Sequence, residues 1–209
     1  MSRRIHIIPL LLAALAALIV GGCVAAYILY GGISYSYDDA GGIAMPGISA
    51  TPSALSTSSP PSRLIIPALK IDTIVEHVGV TKAGLMGNPS NFVNVAWFKF
   101  GPAPGDEGSA VIGGHVDNAL ALDGVFKHLN TLKAGDMIEV KNEAGATLSF
   151  RVSAVETYPY QSVPQAIFTK TGGVYLNLIT CAGTWQSKQH TYDQRLVIYT
   201  EFVGLAPGA

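Results

Sequence analysis

Between Ile7 and Leu29 the sequence contains no charged residue. At about 1.5 Å of rise per residue, such a run makes roughly 35 Å of helix, enough to cross a bilayer core of about 30 Å. Whatever follows must then fold as a separate body beyond the span. Arg3 and Arg4 precede the run, and no further Lys or Arg occurs until Arg63. Positive charge is retained on the cytoplasmic side, so the N-terminus is expected inside and the remainder outside. Residues 1–6 read as a short cytoplasmic N-terminus and residues 7–30 as a transmembrane anchor. The expected product is a single-pass protein of the cell membrane with an extracellular domain.

Two alternatives compete with the anchor. "VGGC" at 20–23 has the look of a loose lipoprotein cleavage site with Cys23 acylated, and a cleaved signal peptide is the other possibility. The apolar run continues past Cys23 through "VAAYILY". That continuation favours the anchor, with Cys23 as a small apolar residue within it. The same run inflates the hydrophobic share to 49% and leaves charged residues at 13%. A net charge of −1 and the lack of any basic cluster argue against nucleic-acid binding.

Residues 31–62 read as a stalk. The stretch "DDAGGIAMPGISATPSALSTSSPPS" at 38–62 is rich in Ser, Pro, Gly and Ala and has no hydrophobic period. It buries too little to offset its ordering entropy. From 63 to 205 the pattern turns mostly β. "RLIIP", "DTIVEHVGV", "FVNVAWFKF", "GSAVIGGHVD", "DMIEVKN", "ATLSFRVSAVETY", "GVYLNLITC" and "RLVIYTEFV" are apolar or alternating runs separated by turn clusters such as "GPAPGDEG" and "KAGD". Short helices are expected near 124–132 and 163–168. The fold class is all-β with short helices, and some eight short strands suggest a closed barrel or a sandwich.

Cys181 ends the apolar run "VYLNLIT" and has no thiol partner outside the hydrophobic N-terminus. His115 ends the run "SAVIGG". Arg195 opens "RLVIYTEF" after a polar stretch, 182–194, that reads as a loop. If the His115 strand runs parallel to the Cys181 strand, and the Arg195 strand returns antiparallel, all three meet at one rim. A thiolate there would attack a carbonyl, a histidine would move protons, and a fixed cation would stabilise an oxyanion. Arg suits that task because it stays charged and presents planar donors.

These residues resemble the sortases, membrane-anchored cysteine transpeptidases of bacterial surfaces. "NLITC" is similar to the Thr-Leu-x-Thr-Cys signature at Leu178, Thr180 and Cys181; Asn177 departs from it, where Thr is frequent. "VIGGHVD" is similar to the histidine strand, and "DQRLVIY" to the arginine strand. The stretch from Gly108 through "VFKHLNTLKAGDMIEV" looks most like class F or class D/E members. The resemblance implies an eight-stranded sortase-like barrel and catalysis by Cys181, His115 and Arg195. It implies a thiol-dependent endopeptidase and transpeptidase that cleaves Leu-Pro-x-Thr-Gly-like sorting signals on surface proteins. The acyl group would pass to an amine of a cell-wall precursor or a pilin.

Thr180, Trp185, Val163 and Ile167 are candidates to contact substrate. Asp117 and Asp193 are candidates to orient His115 or Arg195. His190 is nearer to Cys181 in sequence but sits in a polar segment that gives it no fixed position. No acidic cluster suggests a calcium site, and neither metal nor cofactor is expected. Another exported cysteine peptidase or transpeptidase remains an alternative, although "IT" stands where an L,D-transpeptidase would carry His-Gly. A non-catalytic surface barrel is the other.

Overall fold

The computed structural model describes residues 59–118 and 120–206. The expected cytoplasmic N-terminus and anchor, and the stalk as far as residue 58, lie outside the described residues. Among the described residues no helix is long and apolar enough to cross a membrane. Eight strands form a closed barrel: β1 (Pro61–Ile66), β2 (Ile71–Val78), β3 (Val95–Phe98), β4 (Gly108–Gly114), β5 (Met137–Asn142), β6 (Thr147–Pro159), β7 (Val174–Gln186) and β8 (Thr191–Leu205). Their order around the barrel is β1-β2-β3-β4-β7-β8-β6-β5. The β2–β3 and β4–β7 pairs are parallel and the others antiparallel. The first strand begins at Pro61, two residues before the boundary expected at residue 63.

Alternation places one set of side chains inside. Leu64 and Ile66, Ala110 and Ile112, Ile138 and Val140, Leu176 and Leu178, and Leu196 and Ile198 all join one core. A second cluster lies outside the barrel wall, where Val111, Ile179 and Val197 pack with Met86, Phe98, Ile167 and Phe168. Strands β4, β7 and β8 are therefore buried on both faces. This is why they read as near-continuous apolar runs, whereas β2 alternates.

The expected helix at 124–132 is instead a series of tight turns ending in a 3-10 turn at Leu129–Thr131. Leu129 N–H donates to Phe126 O at 3.2 Å and Leu132 N–H to Leu129 O at 3.2 Å. Phe126, Leu129 and Leu132 are all buried at a spacing of three, which suits a 3-10 period better than an α period. The second expected helix, 163–168, is a single turn, α1 (Ala166–Thr169). The expected loop 182–194 is also corrected: β7 continues to Gln186 and β8 begins at Thr191. Only residues 187–190 connect them. Polar residues mask this extension because the hairpin has no apolar face to alternate against.

Candidate active site

The register settles where the three chemical residues stand. Cys181 is directly opposite Arg195 across the β7–β8 pair. Residues opposite one another on neighbouring strands present their side chains on the same face. β4 runs parallel to β7 with Gly113 beside Ile179, and His115 follows two residues later. Odd-numbered positions of these strands, Val111, Ile179 and Val197, face the outer cluster. The three residues therefore share the outer face at one end of the β4–β7–β8 wall.

Arg195 is four residues inside β8 and only 2% exposed, not an exposed strand-start charge. Its Nη1 donates to the carbonyls of Tyr192 at 2.9 Å and Gln194 at 2.8 Å, and its Nη2 to Thr191 Oγ1 at 2.9 Å. The guanidinium also lies over the Tyr160 ring, 5.6 Å from its centroid. These contacts hold a permanent cation beside the thiol. Burial pushes the Cys181 thiol above its ordinary value; Arg195 opposes that shift and Asp117 adds to it.

Burial likewise pushes the His115 imidazole below its ordinary value, against a hydrogen bond to the Pro89 carbonyl and the charges of Asp117 and Glu76. The resting site thus favours a neutral thiol beside a neutral imidazole. The backbone after β4 is clamped by the 124–126 segment, with Phe126 N–H donating to His115 O at 2.9 Å and Gly124 N–H to Val116 O at 2.9 Å. A Cβ on Gly124 would run into the His115 carbonyl, and one on Gly114 would meet the Phe126 ring at 2.5 Å. The glycine before His115 therefore makes room for Phe126 within a regular strand; it does not turn the chain.

The remaining candidates divide. Asp117 accepts a hydrogen bond from the Tyr192 hydroxyl, which ties the histidine loop to the β7–β8 hairpin. Asp193 instead accepts from Thr184 N–H at 2.7 Å and braces the hairpin. Trp185 is 49% exposed and packs edge-on against Tyr192. His190 is exposed in the 187–190 connection with a positive φ of 51°. Thr180 lies opposite Leu196 and alternates with Cys181, which turns its side chain toward the barrel interior. There its Oγ1 is buried with no hydrogen-bond partner among the described residues. The expected substrate contact by that hydroxyl is therefore corrected.

Val163 is partly buried against the outer cluster, but Ile167 is wholly buried within it. The expected contact by Ile167 is replaced by packing of α1 against the β4–β7–β8 wall. Fully burying such a side chain contributes about 1.5–3 kcal/mol. Asn177, where the signature departs, also supports this wall. It is 2% exposed and donates to Ser109 Oγ at 2.9 Å and to the Ile167 carbonyl at 2.6 Å. Sequence reasoning missed Pro89, Tyr160 and Tyr192, since each is brought to the site by long-range packing with no local motif. No group of His, Cys, Asp and Glu among the described residues is arranged to hold a metal ion.

Comparison with known structures agrees on the fold. Sortase C from Streptococcus pneumoniae superposes with a TM-score of 0.54 at 18% identity, covering 73% of this chain and 74% of that one. Sortase A from Corynebacterium diphtheriae gives 0.53 at 21% identity, covering 73% and 65%. Sortase C1 from Streptococcus agalactiae gives 0.53 at 16%, covering 70% and 69%. Comparison with curated proteins gives no match. The Sortase domain family model matches residues 64–203, the whole barrel apart from its first and last few residues, so the chain belongs to the sortase family of cysteine transpeptidases.

Proposed function

We propose that this sortase cleaves a Leu-Pro-x-Thr-Gly-like sorting signal through a thioacyl intermediate on Cys181 and passes the acyl group to a cell-surface amine. The observation that carries this reading is the cross-strand pair of Cys181 and Arg195, with the His115 strand parallel beside it. In the first step His115 takes the Cys181 thiol proton as the sulfur bonds to the threonine carbonyl carbon. The oxyanion that develops is stabilised by the Arg195 guanidinium, which is already oriented by its hairpin contacts. His115 then gives a proton to the leaving glycine amine as the C–N bond breaks. In the second step an incoming amine attacks the thioester, His115 takes the amine's proton, and the sulfur leaves as a thiolate that recovers this proton from His115.

A peptide reaching Cys181 would lie along the outer face of the β7–β8 end of the wall, beside the 160–169 segment that carries Tyr160 and Val163. An anchor over residues 7–30 would hold the domain at the outer face of the cell membrane, within reach of anchored precursors and of cell-wall or pilin amines. The test is product analysis with a fluorescent Leu-Pro-x-Thr-Gly peptide, with and without a glycine-terminated or lysine-bearing amine. Expected is cleavage at Thr–Gly and an amine-dependent joined product. Cleavage with no joined product at any amine concentration would leave a hydrolase in its place.

A further inference from the structure

We propose that Glu76 is a positioning residue for His115, holding the 89–94 segment so that the Pro89 carbonyl fixes the imidazole. The inference rests on the proton-carrying role given to His115 above. Glu76 lies on β2 opposite Ala96 of β3, and Ala96 lies opposite Gly113 of β4. Val75, Val95 and Ile112, the alternating neighbours, face the barrel core. Glu76 and Gly113 therefore share the outer face, and His115 follows Gly113 by two residues.

The carboxylate is fully engaged by one loop. Ser90 N–H donates to Oε2 at 2.8 Å, Ser90 Oγ to Oε1 at 2.8 Å, and Asn94 Nδ2 to Oε1 at 2.7 Å. Pro89, immediately before Ser90, supplies the carbonyl that accepts from the His115 ring. Other bonds fix the rest of the loop: Thr73 Oγ1 to Val93 O at 2.7 Å, and Val125 N–H to Phe92 O at 2.8 Å. The loop's attachment nearest to Pro89 is thus the pair of bonds from Ser90 to Glu76. A neutral amide in place of the carboxylate has one acceptor oxygen, so it must turn a donor toward a donor.

Glu76 also brings negative charge to the histidine. The charges acting on His115 are Glu76 from β2 and Asp117 from its own loop, while Cys181 on β7 and Arg195 on β8 share its end of the outer face. Asp123, on the segment packed beneath, is paired with Lys127 at 3.4 Å. Glu76 and Asp117 both favour the protonated ring against the cost of burial. A histidine that must take up a proton in mid-reaction needs such support, since burial alone would keep it neutral.

The test is a ring titration of His115 by NMR in the full chain, comparing Glu76 with Glu76→Gln in a Cys181→Ala background. In parallel, kcat and KM are measured with Cys181 present. Glu76→Gln is expected to move the His115 midpoint to lower pH by about half a pH unit or more, and to lower kcat about tenfold with KM little changed. Glu76→Asp keeps the charge and is expected to restore part of the midpoint. Ser90→Ala, which removes one donor and no charge, is expected to lower kcat by a smaller factor. An unmoved midpoint in Glu76→Gln overturns the inference, even if thermal stability falls. Should the parent chain fail to cleave peptide, the proposed function fails, while the titration still reports on Glu76.

Discussion

A thiol and an imidazole that both lose water on folding are both driven toward their neutral forms, and Cys181 and His115 are such a pair. For Cys181 the sign is upward, so less thiolate is present at neutral pH than in an ordinary cysteine. Iodoacetamide alkylation should therefore rise with a midpoint above about 8.5, the unperturbed value. Arg195 is the group that pulls the thiol back down, so Arg195→Met should move the midpoint higher still. The check is the alkylation rate across pH, followed by intact mass; a wild-type midpoint below the ordinary value would contradict the burial argument. Of these side chains, Cys181 and His115 were legible because each ends an apolar run. The burial of Arg195 was not, because four of its hairpin neighbours are polar and conceal a strand. Thr180 turns inward because nearness to the nucleophile in sequence does not say which face of a strand a side chain takes, and Ile167 is buried because a single helical turn is too short for its sequence to show which side faces the barrel.

Asn177 shows how one buried amide joins two elements. A threonine has a single hydroxyl proton, whereas Asn177 donates to Ser109 on β4 and to the Ile167 carbonyl in α1. Asn177→Ala leaves both acceptors buried and unmet, at about 1–3 kcal/mol. Thermal denaturation should show that loss, and peptide kinetics should show KM rising more than kcat falls as the 160–169 wall loosens. An unchanged KM would separate Asn177 from substrate binding. At this scale all eight strands were visible from period-two alternation or from two-faced burial. Of the two short helices, the one near 163–168 is present as the single turn α1, whereas "GVFKHLNTL" places its apolar residues three apart and the barrel accepts them as turns. The β7–β8 hairpin escaped notice because its order comes from Asp193 and Tyr192 contacts rather than from an apolar stripe.

Taken whole, the barrel closes on itself and leaves no strand edge exposed among the described residues. Its N-terminal boundary is sharper than composition suggests. Glu143 N–H donates to Pro60 O at 2.9 Å, His77 bonds Pro61 O at 2.8 Å, and Ser62 Oγ donates to Lys141 O at 2.9 Å. A chain beginning at Ser59 should fold and cleave peptide, while one beginning at Arg63 loses these contacts. The shorter chain should melt lower by about 3–8 °C, for a loss of about 1–2 kcal/mol. Equal melting temperatures would mean that the first turn of β1 adds nothing. The barrel and the convergence of its three chemical residues could be anticipated from strand order and the resemblance. The loop that seats His115 could not, because Glu76 and Pro89 meet only after β2, β3 and β4 are laid side by side.

In the proposed reaction Cys181 carries the acyl group. The most direct test is intact-mass analysis of the full chain incubated with a Leu-Pro-x-Thr-Gly peptide and no added amine. Expected is a mass gain equal to the peptide up to its threonine, released by hydroxylamine, and absent from Cys181→Ala along with all cleavage. Cleavage of the same peptide by Cys181→Ala at the parent rate would contradict it.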